Sequence, residues 1–155
     1  MSISIDRFED HTISHGAGYD SKDRPHRYFR YDWYYNGQWV IVDIDCDTPA
    51  DSAAKARWWN IGLTISDDYC DEALAKCHKK KLITGRMGAL GLLFAKAAIQ
   101  DFEQIVREYY PKHKHFIYCG WLDRRRRRTY AYALKKLNYK YGIRRFKPCL
   151  WKEIK

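Results

Sequence analysis

The alternation of apolar and polar positions is sharpest between residues 28 and 45. Residues 28–35 are rich in aromatics, Asn36-Gly37 is the pair a type I′ turn prefers, and 38–45 continues as QWVIVDID. Val40, Val42 and Ile44 fall on one side of the second arm and Ile41, Asp43 and Asp45 on the other, which predicts a β-hairpin. Upstream, residues 1–5 alternate weakly and are expected to form a short first strand. The polar segment 11–26, with Gly16, Gly18 and Pro25, reads as a loop. Residues 46–51 hold a proline and a turn, and ARWWNIGLTIS at 56–66 predicts another strand. Ser66 then suits the N-cap of a short helix to about residue 80, acidic at its start and lysine-rich at its end, as the helix dipole favours.

After a glycine-containing break at 82–88 the period changes. Between 89 and 110, Ala95, Ala98, Ile99, Phe102, Ile105, Val106 and Tyr109 recur at helical spacing, with Lys96, Gln100, Glu103, Arg107 and Glu108 opposite. Pro111 ends that helix, and HFIYCGWL at 115–122 reads as a short buried strand. Asp123 can cap a helix to about residue 137 with Tyr130, Ala133, Leu134 and Leu137 inward, and Asn138 suits a left-handed C-cap. Residues 146–154 close the chain as a last strand. This order predicts a single α/β (α+β) domain over 1–155, built on a mixed, largely antiparallel sheet flanked by helices.

Charge changes the picture in the back half. From 112 to 155 there are 15 Lys/Arg against two acids, a net +13, so the remaining 14 basic and 17 acidic residues of 1–111 sum to −3 and the chain to +10. Such asymmetry calls for an anionic partner: cofactor phosphates, nucleic acid or an acidic protein. Thirteen Tyr and six Trp supply core volume and equally supply faces on which a base could stack. Five dispersed cysteines read as reduced thiols, and the acidic start MSISIDRFED lacks a secretory pattern, so a cytoplasmic setting is expected. The longest apolar run, 87–95, is far short of the ~20 residues a membrane span needs.

The segment 86–103 reads RMGALGLLFAKAAIQDFE. It resembles the signature of the GNAT superfamily of N-acetyltransferases, Q/R-x-x-G-x-G/A at the head of a long helix. Arg86 takes the first position, Ala89 stands at the first Gly and Gly91 takes the last. The resemblance extends over 81–154, through FIYCGWL, a helix finishing ALKKLNYKYG, and CLWKEI; the hairpin 28–45 fits the family's second and third strands more loosely. Some small bacteriophage proteins, including internal virion components, are similar over their final seventy residues, which would place the chain in a host cytoplasm or a virion.

The resemblance implies that acetyl-CoA or another acyl-CoA lies along Arg86, Met87, Gly88, Ala89, Leu90 and Gly91, and that an amine attacks its thioester directly. Simple physics agrees. The first turn of a helix offers free N–H groups to a diphosphate, small residues let the backbone approach, and Arg86 adds a fork for phosphate oxygens. In many family members a tyrosine hydroxyl protonates the departing thiolate. Here Leu134 holds that position, with Asn138-Tyr139 at the usual Gly-Phe corner, and Tyr130, one turn earlier on the same face, is the substitute expected. The family's helical hairpin between its first two strands is absent or shrunk into 11–26, so residues 1–27 are atypical.

Three further groups stand out. Arg124, Arg125, Arg126, Arg127 and Arg128 put positive charge at the positive end of a helix, a cost that an anionic partner would offset beyond the needs of one cofactor. Nucleic acid or an acidic protein would serve. Cys70, Cys77, His78, His113 and His115 lack the spacings of a zinc site, and no metal is expected. Asp43, Asp45 and Asp47 share one face, which suits proton abstraction from an amine or cation binding, but is first expected to be an ordinary solvent face.

Overall fold

A computed structural model describes residues 2–19, 25–50, 52–66, 89–121 and 124–155. Seven strands, β1 (Thr12–Tyr19), β2 (Pro25–Tyr35), β3 (Gln38–Cys46), β4 (Ala56–Ser66), β5 (Lys114–Cys119), β6 (Lys140–Arg144) and β7 (Lys147–Ile154), make one sheet in the order β1-β2-β3-β4-β5-β7-β6. Every neighbouring pair is antiparallel except β4 and β5. The described helices are α1 (Ala89–Tyr109) and α2 (Arg124–Lys135). The expected mixed, largely antiparallel sheet flanked by helices is therefore present.

The central hairpin forms as its turn chemistry dictates: Asn36 and Gly37 take φ of 50° and 77°, the left-handed pair that joins twisted strands in two residues. Tyr31 pairs with Val42 and Trp33 with Val40 on the face that α1 covers, where all four are buried. α1 meets this face with Phe94, Ala97, Ala98, Ile99, Phe102 and Val106, all essentially inaccessible. The alanines let the helix axis approach the sheet, while Phe94 and Phe102 fill the space between. Phe102 lies edge-on to Phe29 and Trp59 at 5.1 and 4.9 Å. Each such phenylalanine contributes about 1.5–3 kcal/mol through burial.

One carboxylate crosses that apolar layer. Glu103, on the buried side of α1, accepts from Tyr139 Oη at 3.2 Å and Lys152 Nζ at 2.9 Å, with Arg107 Nη2 at 3.5 Å. It ties α1 to β7 and to the turn after α2, where Asn138 adopts φ 69° as the expected left-handed cap.

Four expectations are corrected. The first strand is not at 1–5: Ile5–Arg7 is a 3-10 turn whose neighbour Phe8 packs against Trp33 and Phe94. Half of the expected loop 11–26 is β1, paired with β2 along its whole length. Its glycines accommodate cross-strand rings, since a Cβ at Gly16 would stand 3.0 Å from the Tyr28 hydroxyl. Residues 140–144, left without an element by the sequence pattern, form β6. It joins β7 through Arg145 and Phe146, both left-handed, at φ 51° and 65°. The aspartate face is not a solvent face either: Asp43 is buried and paired with Arg30 Nε at 2.7 Å. The helix expected after Ser66 and the break at 82–88 lie outside the described residues.

Candidate functional site

β4 and β5 run side by side only from Ala56↔Lys114 to Asn60↔Tyr118. β4 continues to Ser66, still paired with β3, while β5 ends at Cys119. The ladder between β4 and β5 therefore stops six residues before β4 ends. Where the strands part, a cavity of about 30 Å³ is walled by Ile61 and Leu63 of β4, Cys119 of β5, four residues of α1 and three of α2. The α1 wall is Leu92, Ala95, Lys96 and Ile99; the α2 wall is Tyr130, Ala133 and Leu134. The first turn of α1 stands at its rim.

The structure distributes the sequence candidates unevenly around this cleft. Ala89 and Leu90 are exposed and Gly91 is buried in that first turn. Arg86, Met87 and Gly88 lie outside the described residues. Tyr130 does face the cavity, and among the described lining residues it carries the only hydroxyl. Leu134 lines the same cavity with an apolar branch. Two wall residues escaped the sequence reading. Lys96 borders the cleft with its aliphatic stem although its position reads as solvent-facing. Cys119 faces it as an inert thiol, pushed by burial up to about 12, so it stays protonated at neutral pH.

Of the arginine run, Arg124, Arg125 and Arg126 open α2, and only Arg127 and Arg128 have described side chains, both exposed. Arg127 lies over the rings of Trp121 and Tyr141, at 5.9 and 5.5 Å, with Lys135 Nζ 4.5 Å above the same Tyr141. Cations resting on rings keep their charge available to an anion.

No family model, curated protein or solved structure matches this chain.

On the opposite sheet face, Asp47 accepts from Tyr118 Oη at 2.7 Å and pairs with Arg144 at 3.3 Å, and burial together with this carboxylate raises the Tyr118 pKa. Arg144 in turn lies 4.2 Å over Trp58, which stacks on Phe116 at 4.6 Å. Burial, then the neighbouring Asp43, raise the Asp45 pKa. Asp43 and Asp47 are thus engaged with arginines rather than poised as bases. Among the described residues, no three His, Cys, Asp or Glu side chains converge to hold a metal ion. None of the described helices is long and apolar enough to cross a membrane.

Proposed function

We propose that the protein is an N-acyltransferase of the GNAT type that uses acetyl-CoA or a related acyl-CoA. The observation that carries this reading is the parting of the one parallel strand pair beyond Asn60↔Tyr118, beside an apolar cavity at the head of a 21-residue helix. An acyl-CoA needs apolar walls for its acyl end, strand amides for the thioester oxygen and a helix N-terminus for the diphosphate. The cavity of about 30 Å³ has room for the acyl end alone, with the pantetheine arm outside it.

In the reaction the amine nitrogen attacks the thioester carbon, the C–S bond breaks, and the amine loses one proton while the CoA sulfur gains one. Rate enhancement comes from alignment of the two reactants and from amides aimed at the developing oxyanion. Tyr130 is the group assigned to deliver the proton to sulfur. Only five residues separate β1 from β2, where the family has a long helical hairpin, and the amine stays unspecified.

Calorimetric titration with acetyl-CoA tests the cofactor. A dissociation constant on the order of micromolar is expected. Gly91→Glu should abolish it by placing a carboxylate against the diphosphate. Leu92→Lys, at the half-buried cavity wall, gives a second variant should the first not fold. Tyr130→Phe should leave that binding intact and lower CoA release with a panel of primary amines by about a hundredfold. Absence of acetyl-CoA binding by the unaltered chain would end the reading.

A second reading has its own observation. Phe146 is fully exposed at the tip of the β6–β7 turn and Ile143 is 79% exposed, flanked by Arg144, Arg145 and Lys147. A bulky residue in a left-handed conformation is strained, which is tolerated where a tip must contact something. An inactive acyltransferase-like fold that grips nucleic acid with this basic hairpin would bind oligonucleotides with a steep salt dependence and ignore acetyl-CoA.

A further inference from the structure

At the far end of the β4–β5 pair from the cleft lies a second cavity of about 90 Å³, lined by Arg27, Arg57, Thr48, Cys46, His113 and His115, with Trp59 and Tyr110 among its walls. It is the end where β4 and β5 begin and α1 stops, so nothing bound there touches the acyl-CoA cleft.

Its charges are one-sided. Arg57 is held by its own strand approach, donating from Nη1 to Ala54 O at 2.7 Å and from Nη2 to Ser52 O at 3.0 Å. Neutral carbonyls fix the guanidinium without cancelling its charge. Arg27 donates to Tyr110 Oη at 2.9 Å and rests 5.1 Å over that ring. Among the described residues no carboxylate pairs with either arginine. The floor adds no countercharge: burial pushes the Cys46 thiol up to about 11, so it is uncharged at neutral pH.

The histidines are set for two tasks. His115 accepts from Trp59 Nε1 at 3.0 Å on Nδ1 and therefore donates from Nε2 to the Tyr110 carbonyl at 2.8 Å. Both nitrogens are spent on the scaffold, and the helix-end carbonyl that would repel an anion is covered. His113 is different. Its Nε2 faces Arg57 Nη2 at 3.4 Å and can only accept from that guanidinium, which leaves Nδ1 as the ring's donor.

We infer that this pocket binds a phosphate group, gripped by Arg27 and Arg57 from two elements with the Thr48 hydroxyl and His113 as further donors. Donors arriving from several directions match a tetrahedral oxyanion better than a planar carboxylate. The volume of about 90 Å³ has room for a phosphate or the head of a phosphomonoester. The site is independent of the acyltransferase reading.

The test is titration with inorganic phosphate at constant ionic strength, by calorimetry and by the imidazole NMR signals of His113. The expected result is one saturable site of about millimolar affinity or tighter. Arg27→Met, an exposed position whose loss should leave the fold intact by circular dichroism, is expected to weaken it by about tenfold or more. Arg128→Met on α2 should leave it unchanged. A 5′-phosphorylated dinucleotide that binds more tightly than phosphate, while its unphosphorylated form does not bind, would identify a strand end as the source of the group. Phosphate tighter than the phosphorylated dinucleotide would identify the free ion. An equal response to acetate, an unaltered response in Arg27→Met, or an equal loss in Arg128→Met would overturn the assignment.

Discussion

Replacing Glu103 by glutamine removes one negative charge from a place where three donors depend on it. The carboxylate is only 4% exposed and holds Lys152, itself 17% exposed, at 2.9 Å, together with Tyr139 Oη and Arg107. Leaving one partner of a buried ion pair uncompensated costs about 3–5 kcal/mol. The partial exposure of Lys152 reduces this, because its ammonium can turn toward water, and glutamine keeps one oxygen for Tyr139. The expected loss is therefore about 2–4 kcal/mol, a large share of the ~5–15 kcal/mol that holds a typical domain. At about 2–4 °C per kcal/mol for a chain of this size, Tm should fall by roughly 4–16 °C. Urea unfolding monitored by tryptophan fluorescence gives the free energy directly. The double variant Glu103→Leu with Lys152→Met supplies the decisive comparison, since replacing both charges by apolar groups removes the penalty and should recover most of the loss. A glutamine variant within about 0.5 kcal/mol of the parent, a value typical of surface substitutions, would show that Glu103 does not bind α1 to β7 as argued.

Burial, with His113 and Arg57 nearby, lowers the His115 pKa despite its bond to the Tyr110 carbonyl. Between that value and the ordinary ~6.5 the unfolded chain binds more protons, so the contribution is full above ~6.5 and lost as pH falls toward the depressed value. Stability measured from about pH 7.5 to 5.5 should fall less steeply in His115→Asn, and parallel slopes would refute the assignment. Gly142→Ala would drive a methyl to within 2.5 Å of the Trp151 indole, costing about 1–3 kcal/mol, whereas Gly120→Ala meets nothing within 4 Å and should be neutral or slightly stabilising. Phe146→Gly relieves about 1–2 kcal/mol of left-handed strain against a glycine entropy cost of about 0.5–1, for a net gain near 1 kcal/mol in denaturant titration. If the hairpin grips nucleic acid, the same variant loses oligonucleotide affinity while gaining stability, a combination that simple strain relief does not produce.

The local rules succeeded where a segment's neighbours in sequence are also its neighbours in space. Asn36-Gly37 forces a hairpin by its own dihedral preferences, β4 occupies the predicted 56–66, and α1 matches its apolar period to within a residue. Tyr130 could be placed on the cleft side because helical spacing alone sets its face. β1 was missed because glycines usually signal loops, whereas Gly16 and Gly18 here make room for the Tyr28 and His26 rings of the paired strand. β6 was missed because Arg145 and Phe146 carry no turn signature; Gly142 lies beneath the Trp151 ring of β7, which pairs with it along its length.

The chain's own order of residues thus determined its two described helices, its central hairpin, the uneven charge and the small-residue head of α1, since each depends on short-range geometry or simple summation. Only the tertiary structure decided that β4 and β5 run parallel and then part, and that Glu103 is enclosed by three donors. Only it decided that Arg27, Arg57 and His113, spread over 87 positions of sequence, border one cavity. Those arrangements come from pairing between distant segments, and no local period encodes which strand will lie beside which.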